Sequence, residues 1–332
     1  MDPRRALIEH WLRDDLGLAV ARLEPASADA SFRRYFRVRH GRHSHIVMDA
    51  PPAREDSRSF IAVARAFAAL GLRVPTVHAA DLERGLLLLD DLGSEVYLQV
   101  LHEDNADALY GDAQSALIRL LGADPGALAL PPFDRSLLLG EMALFRDWLL
   151  GRHLRLSLAP EQEQELKGCF DFLAGQALLQ PQVWVHRDYH SRNLMRLPRR
   201  NPGILDFQDA VVGPVTYDLV SLLRDCYIRW PRQRVKDWVA VYLRRAQGEG
   251  YLREVAAPQF QRWFDLMGVQ RHLKAAGIFA RLYHRDGKPG YLADIPRTVG
   301  YIVEVADDHP PLRPLGKLLR RQVLPALPAQ LR

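Results

Sequence analysis

Polar residues suited to phosphoryl transfer are concentrated in residues 186–193, which run His-Arg-Asp-Tyr-His-Ser-Arg-Asn. Phosphoryl transfer needs a hydroxyl held in line with the phosphate and metal ions that neutralise the phosphate oxygens. Asp188 can orient a hydroxyl and accept its proton, and Asn193 offers the kind of oxygen that Mg²⁺ prefers. A surface loop that uses Asp and Asn to cap helices is the alternative interpretation.

A second carboxylate for the metal follows at Asp206, directly after the apolar run 203–205. It lies thirteen residues past Asn193, which is the length of one short hairpin. Asp209 follows closely, as a further ligand or a residue that holds the loop. The spacing therefore predicts a magnesium site built by Asn193 and Asp206.

The elements that would position these residues differ between the two parts of the chain. Residues 23–92 alternate in the manner of strands, with a hairpin through His40 and Gly41, a helix over 54–70, and further strands at 74–77 and 85–89. After residue 92 helical periodicity dominates, over 133–153, 160–180, 215–230, 233–246, 258–285 and 289–305. The sequence predicts an α+β fold, a sheet-rich lobe (1–91) followed by a mainly helical lobe (92–332), with a loosely packed tail after residue 309.

Bulk properties exclude several classes of protein. The chain has 332 residues, a formal net charge of +5 and only two cysteines, Cys169 and Cys226, which suit neither a zinc site nor a disulfide framework. No run is long enough to cross a bilayer, and the N-terminus lacks a signal-peptide core. The arginines are scattered and no nucleic-acid-binding motif occurs. We expect a cytoplasmic protein without a membrane or nucleic-acid partner; the sequence implies no oligomer.

The sequence His186 to Asn193, followed by Asp206 and Phe207, resembles the catalytic and metal-binding segments of the protein-kinase-like superfamily. The stretch 213–220, with Asp218 in it, narrows the resemblance to the aminoglycoside phosphotransferase branch. The resemblance spans about residues 25–301 and implies a bilobal kinase-like fold that uses ATP and Mg²⁺. It also implies that Asp218, with His186 packed under the loop, braces the catalytic loop.

The resemblance extends to the predicted nucleotide site, with two departures. Residues 86–93 look like the last N-lobe strand and the hinge, so the backbone from Asp90 to Leu92 would hydrogen-bond the adenine. No glycine-rich loop is present, although Ser31 stands in the corresponding turn. The strand that should carry a phosphate-binding lysine reads Ile-Val-Met-Asp. Arg33, Arg34 and Arg37 are the nearest cations, and Arg33 and Arg34 are predicted to contact ATP; an exposed basic strand edge is the alternative.

A subgroup of the branch shares further segments, among them 30–37, 48–52, 206–210, 222–227 and 270–274. These resemble the kinases of cell-wall recycling that phosphorylate the anomeric hydroxyl of N-acetylmuramate and N-acetylglucosamine. The resemblance implies an amino-sugar substrate.

The charge of the C-terminal helices offers an independent check on the substrate. Residues 262–288 carry six basic and two acidic side chains, which would repel a polyamine and favour a carboxylate. Arg271, Lys274 and Arg281 share roughly one helical face. We predict that they bind the substrate together with Asp209 and Arg224; a solvated basic face is the alternative.

Three other functions remain open at this point. One is a different small-molecule hydroxyl kinase of the same branch, and another is a non-catalytic nucleotide-binding module. A protein kinase is disfavoured, because no Ala-Pro-Glu segment or long activation loop follows Asp206.

Overall fold

A computed structural model describes residues 2–19, 22–27 and 33–327 of the protein. The N-terminal elements are α1 (Pro3–His10, continued by a π-turn over Trp11–Asp15), β1 (Leu23–Ser27), β2 (Arg34–His40), β3 (His43–Asp49), α2 (Ser57–Ala69), β4 (Val77–Asp81), β5 (Leu86–Asp90), α3 (Tyr97–Val100) and α4 (Ala106–Leu121).

The elements that follow are mainly helical. They are α5 (Arg135–Leu144, continued as a π-helix over Phe145–His153), α6 (Pro160–Leu178), β6 (Gln182–Val185), β7 (Leu194–Met195), β8 (Gly203–Ile204), β9 (Val211–Pro214), α7 (Tyr217–Leu223), α8 (Arg232–Gly248), α9 (Ala257–Asp286), a 3₁₀ turn (Pro289–Asp294), α10 (Ile295–Ala306), a 3₁₀ turn (Pro310–Leu312), α11 (Arg313–Leu318), a π-turn (Leu319–Val323) and α12 (Leu324–Ala326).

The chain divides into two compact units, which are described separately. Unit 1 comprises Met1–Arg119, Gly126–Leu128 and Arg192–Asp209, and unit 2 comprises Leu120–Pro125, Ala129–Ser191 and Ala210–Arg332. These units differ from the expected lobes, which meet at residue 91. Residues after 91 join unit 1 because a β-bridge links Val96 to Met195, and Asn201 donates hydrogen bonds to the Tyr97 hydroxyl and to Asp112.

Unit 1 is built on an antiparallel sheet of five strands in the order β1-β2-β3-β5-β4. The β2–β3 hairpin turns at Gly41, where φ is +57°, so the predicted hairpin is confirmed. Asp56 caps the N-terminus of helix α2, and its carboxylate accepts the Arg58 N–H. The helix buries Phe60 and Phe67 at helical spacing.

Unit 2 is organised around the 30-residue helix α9, which packs against α5, α6, α7 and α10. The polar loop that starts at His186 follows strand β6 directly. Strand β9, which pairs with β6, and helix α7 come later in the chain. Within the described residues, no helix has both the length and the apolarity that a bilayer crossing requires.

Two sequence expectations were wrong in unit 2. The helix expected over 215–230 ends at Leu223, because Asp225 instead caps local backbone: its carboxylate accepts the N–H groups of Ser191 and Tyr227. The tail after residue 309 is not loosely packed up to residue 327. It forms short helical turns whose apolar side chains are buried, namely Leu312, Leu315, Leu319 and Val323.

Candidate active site

The loop that follows β6 is held by the carboxylate of Asp218, in the first turn of α7. Asp218 accepts the backbone N–H groups of His186 at 2.6 Å and of Arg187 at 3.0 Å. Arg187 has a φ of +78°, a conformation that costs a non-glycine residue about 1–3 kcal/mol. The two hydrogen bonds from the loop backbone are the contacts that Asp218 needs to brace the catalytic loop, as predicted. Burial raises the pKa of Asp218 to about 6.

Asp188 lies at the centre of this loop, and its backbone N–H donates to Nδ1 of His186 at 3.2 Å. Burial by itself raises the pKa of a carboxyl group, but nearby positive charges, Lys274 first among them, hold the pKa of Asp188 well below its usual value. The side chain is therefore ionised at neutral pH. An ionised carboxylate can orient a hydroxyl group and accept its proton.

A cavity of about 90 Å³ opens beside Asp188 within unit 2. Its lining includes Asp188, His190, Arg271 and Lys274, and Phe279 contributes an apolar wall. Burial lowers the pKa of His190 to about 4, so its imidazole is neutral at physiological pH. The cavity thus combines one carboxylate with two cations and carries a net positive charge.

Arg271 keeps hydrogen-bonding capacity that no described residue uses. It is 5% exposed, its Nη1 lies 3.6 Å from the sulfur of Cys226, and its Nε has no hydrogen-bond partner among the described residues. Buried charges are normally paired, because desolvation of an isolated charge is expensive. A buried guanidinium that has no carboxylate at hydrogen-bond distance in the described part of the chain suits an anionic ligand.

Lys274, in contrast, is held by the protein itself. Its Nζ lies 3.0 Å from Oε1 of Glu141 and donates to the Tyr217 hydroxyl at 3.1 Å. Glu141, which is buried in α5, also accepts from Nη2 of Arg187 at 2.6 Å. The sequence analysis missed Glu141, although a single acid within the apolar run 137–145 was a signal.

The other predicted substrate residues do not line this cavity. Arg224 is buried, donates to Oδ1 of Asp265 at 2.6 Å and lies 4.8 Å from the centre of the Phe264 ring. Arg281 lies further along α9 and is partly exposed, and Asp209 is exposed in unit 1. Of the five, the structure brings Arg271 and Lys274 next to Asp188.

The predicted metal ligands belong to unit 1, where the two-stranded hairpin β7–β8 brings them together. Asn193 directly precedes β7, Asp206 follows β8, and the Leu205 N–H donates to the Asn193 carbonyl at 2.9 Å. The Nδ2 of Asn193 lies 3.3 Å from Oδ2 of Asp206. Phe207 is fully buried, with its ring 4.8 Å from Phe60 of α2, and it fixes the backbone beside Asp206.

The side chains of Asn193 and Asp206 both supply hard oxygens. Asp206 has a φ of +63°, a strained conformation of the kind that is concentrated at functional sites. The described part of the chain holds no cluster of three or more His, Cys, Asp or Glu side chains suited to a metal. Mg²⁺ needs fewer protein ligands, since it keeps waters and binds substrate phosphates. The donor set therefore fits Mg²⁺.

A groove of about 530 Å³ in unit 1 contains Asn193 and Asp206 in its lining. This volume lies within the range of small-molecule sites. The predicted hinge residues Asp90 and Leu92 also line it, as do Tyr35 and Arg37 of β2.

Of the three candidate arginines, the groove contains Arg37, which also makes a bidentate pair with Asp91 at 2.7 and 3.0 Å. Arg33 pairs with Glu55 at 2.9 Å, and Arg34 pairs with the fully buried Asp49 at 2.6 Å; neither lines the groove. The contact of Arg33 and Arg34 with ATP stays a prediction. Ser31 lies outside the described residues.

Comparison with known proteins identifies the family. The sequence pattern of the phosphotransferase enzyme family matches residues 22–258, about seven tenths of the chain. The chain belongs to this family. A curated relative from Pseudomonas aeruginosa is 50% identical over 299 residues, 90% of this chain and 88% of the relative. One from Pseudomonas putida is 48% identical over 297 residues, 90% and 87% of the two chains. Both are named N-acetylmuramate/N-acetylglucosamine kinase.

The fold is also that of this phosphotransferase family. The solved structure of aminoglycoside 2′-phosphotransferase-IIIa, in complex with GDP, superposes with a TM-score of 0.63 at 13% identity, covering 93% of this chain and all of that one. The prediction of a kinase-like α+β fold, with a sheet near the N-terminus and helices after it, is confirmed.

Proposed function

We propose that this phosphotransferase transfers the γ-phosphoryl group of ATP to the anomeric C1 hydroxyl of N-acetylmuramate and N-acetylglucosamine. The observation that carries the proposal is the cavity in which an ionised carboxylate, Asp188, lies beside the buried guanidinium of Arg271. Such a cavity suits a hydroxyl acceptor that bears an anionic group, as N-acetylmuramate does. The names of the relatives support the same substrates.

The reaction is a direct in-line transfer. Asp188 orients the C1 hydroxyl and accepts its proton as the sugar oxygen bonds to the γ-phosphorus and the bond from that phosphorus to the ADP oxygen breaks. An anomeric hydroxyl is more acidic than other sugar hydroxyls, so a carboxylate of low pKa is a sufficient base. No covalent enzyme intermediate is needed, and His190 is not the nucleophile.

The nucleotide is assigned to the groove of unit 1, with the backbone from Asp90 to Leu92 at the adenine. Asn193 and Asp206 would hold Mg²⁺, which neutralises charge on the phosphate oxygens when it is bound. Arg37 and Arg192 are basic residues in the groove lining, and Arg37, on strand β2, is the candidate for the cation that replaces the missing lysine. Because ATP is the proposed phosphoryl donor, the proposal assigns the reaction to the cytoplasm.

The charge of the cavity beside Asp188 favours amino sugars over the cationic substrates of other kinases of the branch. Two cations against one carboxylate would repel an aminoglycoside or an amino alcohol, because each of these carries positive charge. The neutral hydroxyls and the carboxylate of N-acetylmuramate meet no such penalty.

Incubation with Mg-ATP and a panel of acceptors tests the function directly. We expect ³¹P NMR to show a sugar 1-phosphate, with loss of reducing-end reactivity, for N-acetylmuramate and N-acetylglucosamine. Kanamycin and choline serve as cationic controls. Phosphorylation of either of them, with neither amino sugar modified, would refute the proposal.

The Arg271→Met variant is expected to lose affinity for N-acetylmuramate selectively. A hydrogen-bonded ion pair between Arg271 and the lactyl carboxylate is worth about 1.5–3 kcal/mol. The KM for N-acetylmuramate should therefore rise roughly 10- to 150-fold, whereas the KM for N-acetylglucosamine, which lacks the carboxylate, should change less than about threefold.

Arg224→Met is the matched control, because Arg224 is also a buried arginine but pairs with Asp265. It should lower the melting temperature without changing the ratio of the two KM values. Equal losses for both sugars in Arg271→Met would show that Arg271 does not bind the carboxylate.

A further inference from the structure

One wall of the cavity beside Asp188 is a single face of helix α9. The residues of this helix that line the cavity are Arg271, Lys274, Ala275, Ile278 and Phe279. The last four follow Arg271 by three, four, seven and eight residues, the offsets that place side chains on one side of an α-helix. The face extends over about two helical turns, or roughly 12 Å. A molecule that fills the cavity therefore contacts α9 along this face.

The face changes from charged to apolar along the helix axis. Its N-terminal part carries two cations, Arg271 and Lys274. Its C-terminal part carries three apolar side chains, those of Ala275, Ile278 and Phe279. A ligand that places a hydroxyl at the proposed base thus meets positive charge toward one end of the helix face and apolar surface toward the other.

Two of the apolar side chains are partly exposed on a stretch of helix that is otherwise covered. Residues 264–282 of α9 are buried with three exceptions, namely Ala275, Ile278 and Arg281. Ala275 and Ile278 line the cavity. Apolar surface that remains partly exposed beside a cavity is stabilised when an apolar group of a ligand covers it. The structure therefore favours a ligand that carries such a group.

The ring of Phe279 is a fixed part of this apolar surface. It packs against Tyr291, with 5.7 Å between the ring centroids and 17° between the ring planes, and it lies 6.1 Å from the ring of Tyr227. Tyr227 also lines the cavity, and its ring lies 5.4 Å from that of His190. Because aromatic neighbours hold Phe279, its orientation is set by packing before a ligand binds.

We infer that Ala275, Ile278 and Phe279 form the subsite for the acyl group on the C2 nitrogen of the sugar and select N-acetylated acceptors. The inference rests on the proposed function, because it takes the acceptor to be N-acetylmuramate or N-acetylglucosamine. Both sugars carry a neutral acetamido methyl group, which is stabilised when it leaves water for apolar surface. The carboxylate, which only N-acetylmuramate carries, is assigned to Arg271 at the other end of the same helix face.

A cycle that removes one methyl group from the sugar and apolar atoms from the enzyme tests this subsite. N-formylglucosamine lacks the acetamido methyl and is otherwise identical to N-acetylglucosamine. In the wild-type enzyme, kcat/KM from initial rates of ADP release should be about fourfold higher for the acetyl sugar, the factor expected for one buried methyl group. Ile278→Thr replaces an ethyl group with a hydroxyl and keeps the branched β-carbon. The acetyl-to-formyl ratio should fall below about twofold in this variant.

Ile61→Thr is the matched control, because Ile61 is also a partly exposed helical isoleucine and lies on α2, outside the linings of the cavity and the groove. It should leave the acetyl-to-formyl ratio at about fourfold. Ile278→Thr should also leave the ratio of kcat/KM between N-acetylmuramate and N-acetylglucosamine within about twofold of wild type, because both sugars carry the acetyl group. Arg271→Met should change that second ratio instead.

The wild-type ratio requires no substitution, so the test does not depend on the folding of a variant. An acetyl-to-formyl ratio close to one in the wild-type enzyme, or a ratio that Ile278→Thr leaves unchanged, would overturn the inference and leave the proposed function standing. A wild-type enzyme that phosphorylates neither N-acetylmuramate nor N-acetylglucosamine would refute the proposed function, and the inference with it.

Discussion

Replacement of Asp188 by Asn should reduce kcat by about 10²–10⁴-fold, the usual contribution of a positioned general base. Asn has nearly the same shape, so the variant can occupy the same space in the cavity. It cannot accept the proton of the acceptor hydroxyl, and it removes the negative charge that faces Lys274 and Arg271. The loss should therefore appear in kcat for both sugars.

Nucleotide binding should survive this substitution. The KM for ATP and the dissociation constant of ADP, measured by calorimetry, should change less than about twofold, because the ATP groove is assigned to residues of unit 1. Asp237→Asn, which alters an exposed carboxylate on α8, is the matched control and should leave kcat unchanged. A kcat above one tenth of the wild-type value in Asp188→Asn would contradict the assignment of the base.

Replacement of Asp206 by Asn should lower kcat/KM for Mg-ATP by about 10²–10³-fold, the scale expected when one group that stabilises transition-state charge is lost. The variant keeps an oxygen at this position but removes the negative charge that a divalent cation needs. The Mg²⁺ concentration that gives half-maximal rate should rise at least about tenfold for the same reason.

The dependence of the rate on Mg²⁺ tests whether Asp206 is a metal ligand in the Asp206→Asn variant. Excess Mg²⁺ should restore part of the rate, and binding of ADP without metal should be unaffected. Asp56→Asn is the control in the same unit, because Asn replaces Asp well as the N-cap of α2. An unchanged Mg²⁺ requirement in Asp206→Asn would exclude this residue as a metal ligand.

Two hairpins were predictable from the sequence, because local patterns determine them. The hairpin at Gly41 follows from a turn residue between alternating strands. The separation of Asn193 from Asp206 matches one short hairpin, and the structure contains that hairpin. The contact of Asp218 with the loop backbone was also anticipated, but through family resemblance rather than through spacing.

The misplaced elements show where local patterns fail. Apolar periodicity continues past Leu223, yet the helix ends there because tertiary partners take over the backbone and the side chains. The Arg224 carbonyl accepts a hydrogen bond from His272 at 2.8 Å, and the carboxylate of Asp225 accepts the N–H of Ser191. Hydrogen bonds across more than thirty residues outweigh a helical preference of a few tenths of a kcal/mol per residue.

The sequence by itself determined the chemistry of this protein: a loop with a base, an amide and a following carboxylate, whose types and spacing suit phosphoryl transfer. Only the tertiary structure decided which charges are available for it. It pairs Arg34 with Asp49 and Arg224 with Asp265, and it leaves the Nε of Arg271 without a partner among the described residues. It also pairs Glu141 with Lys274, which lines the same cavity as Asp188. Ion pairing depends on distances between residues that are far apart in the chain, and composition and periodicity do not contain those distances.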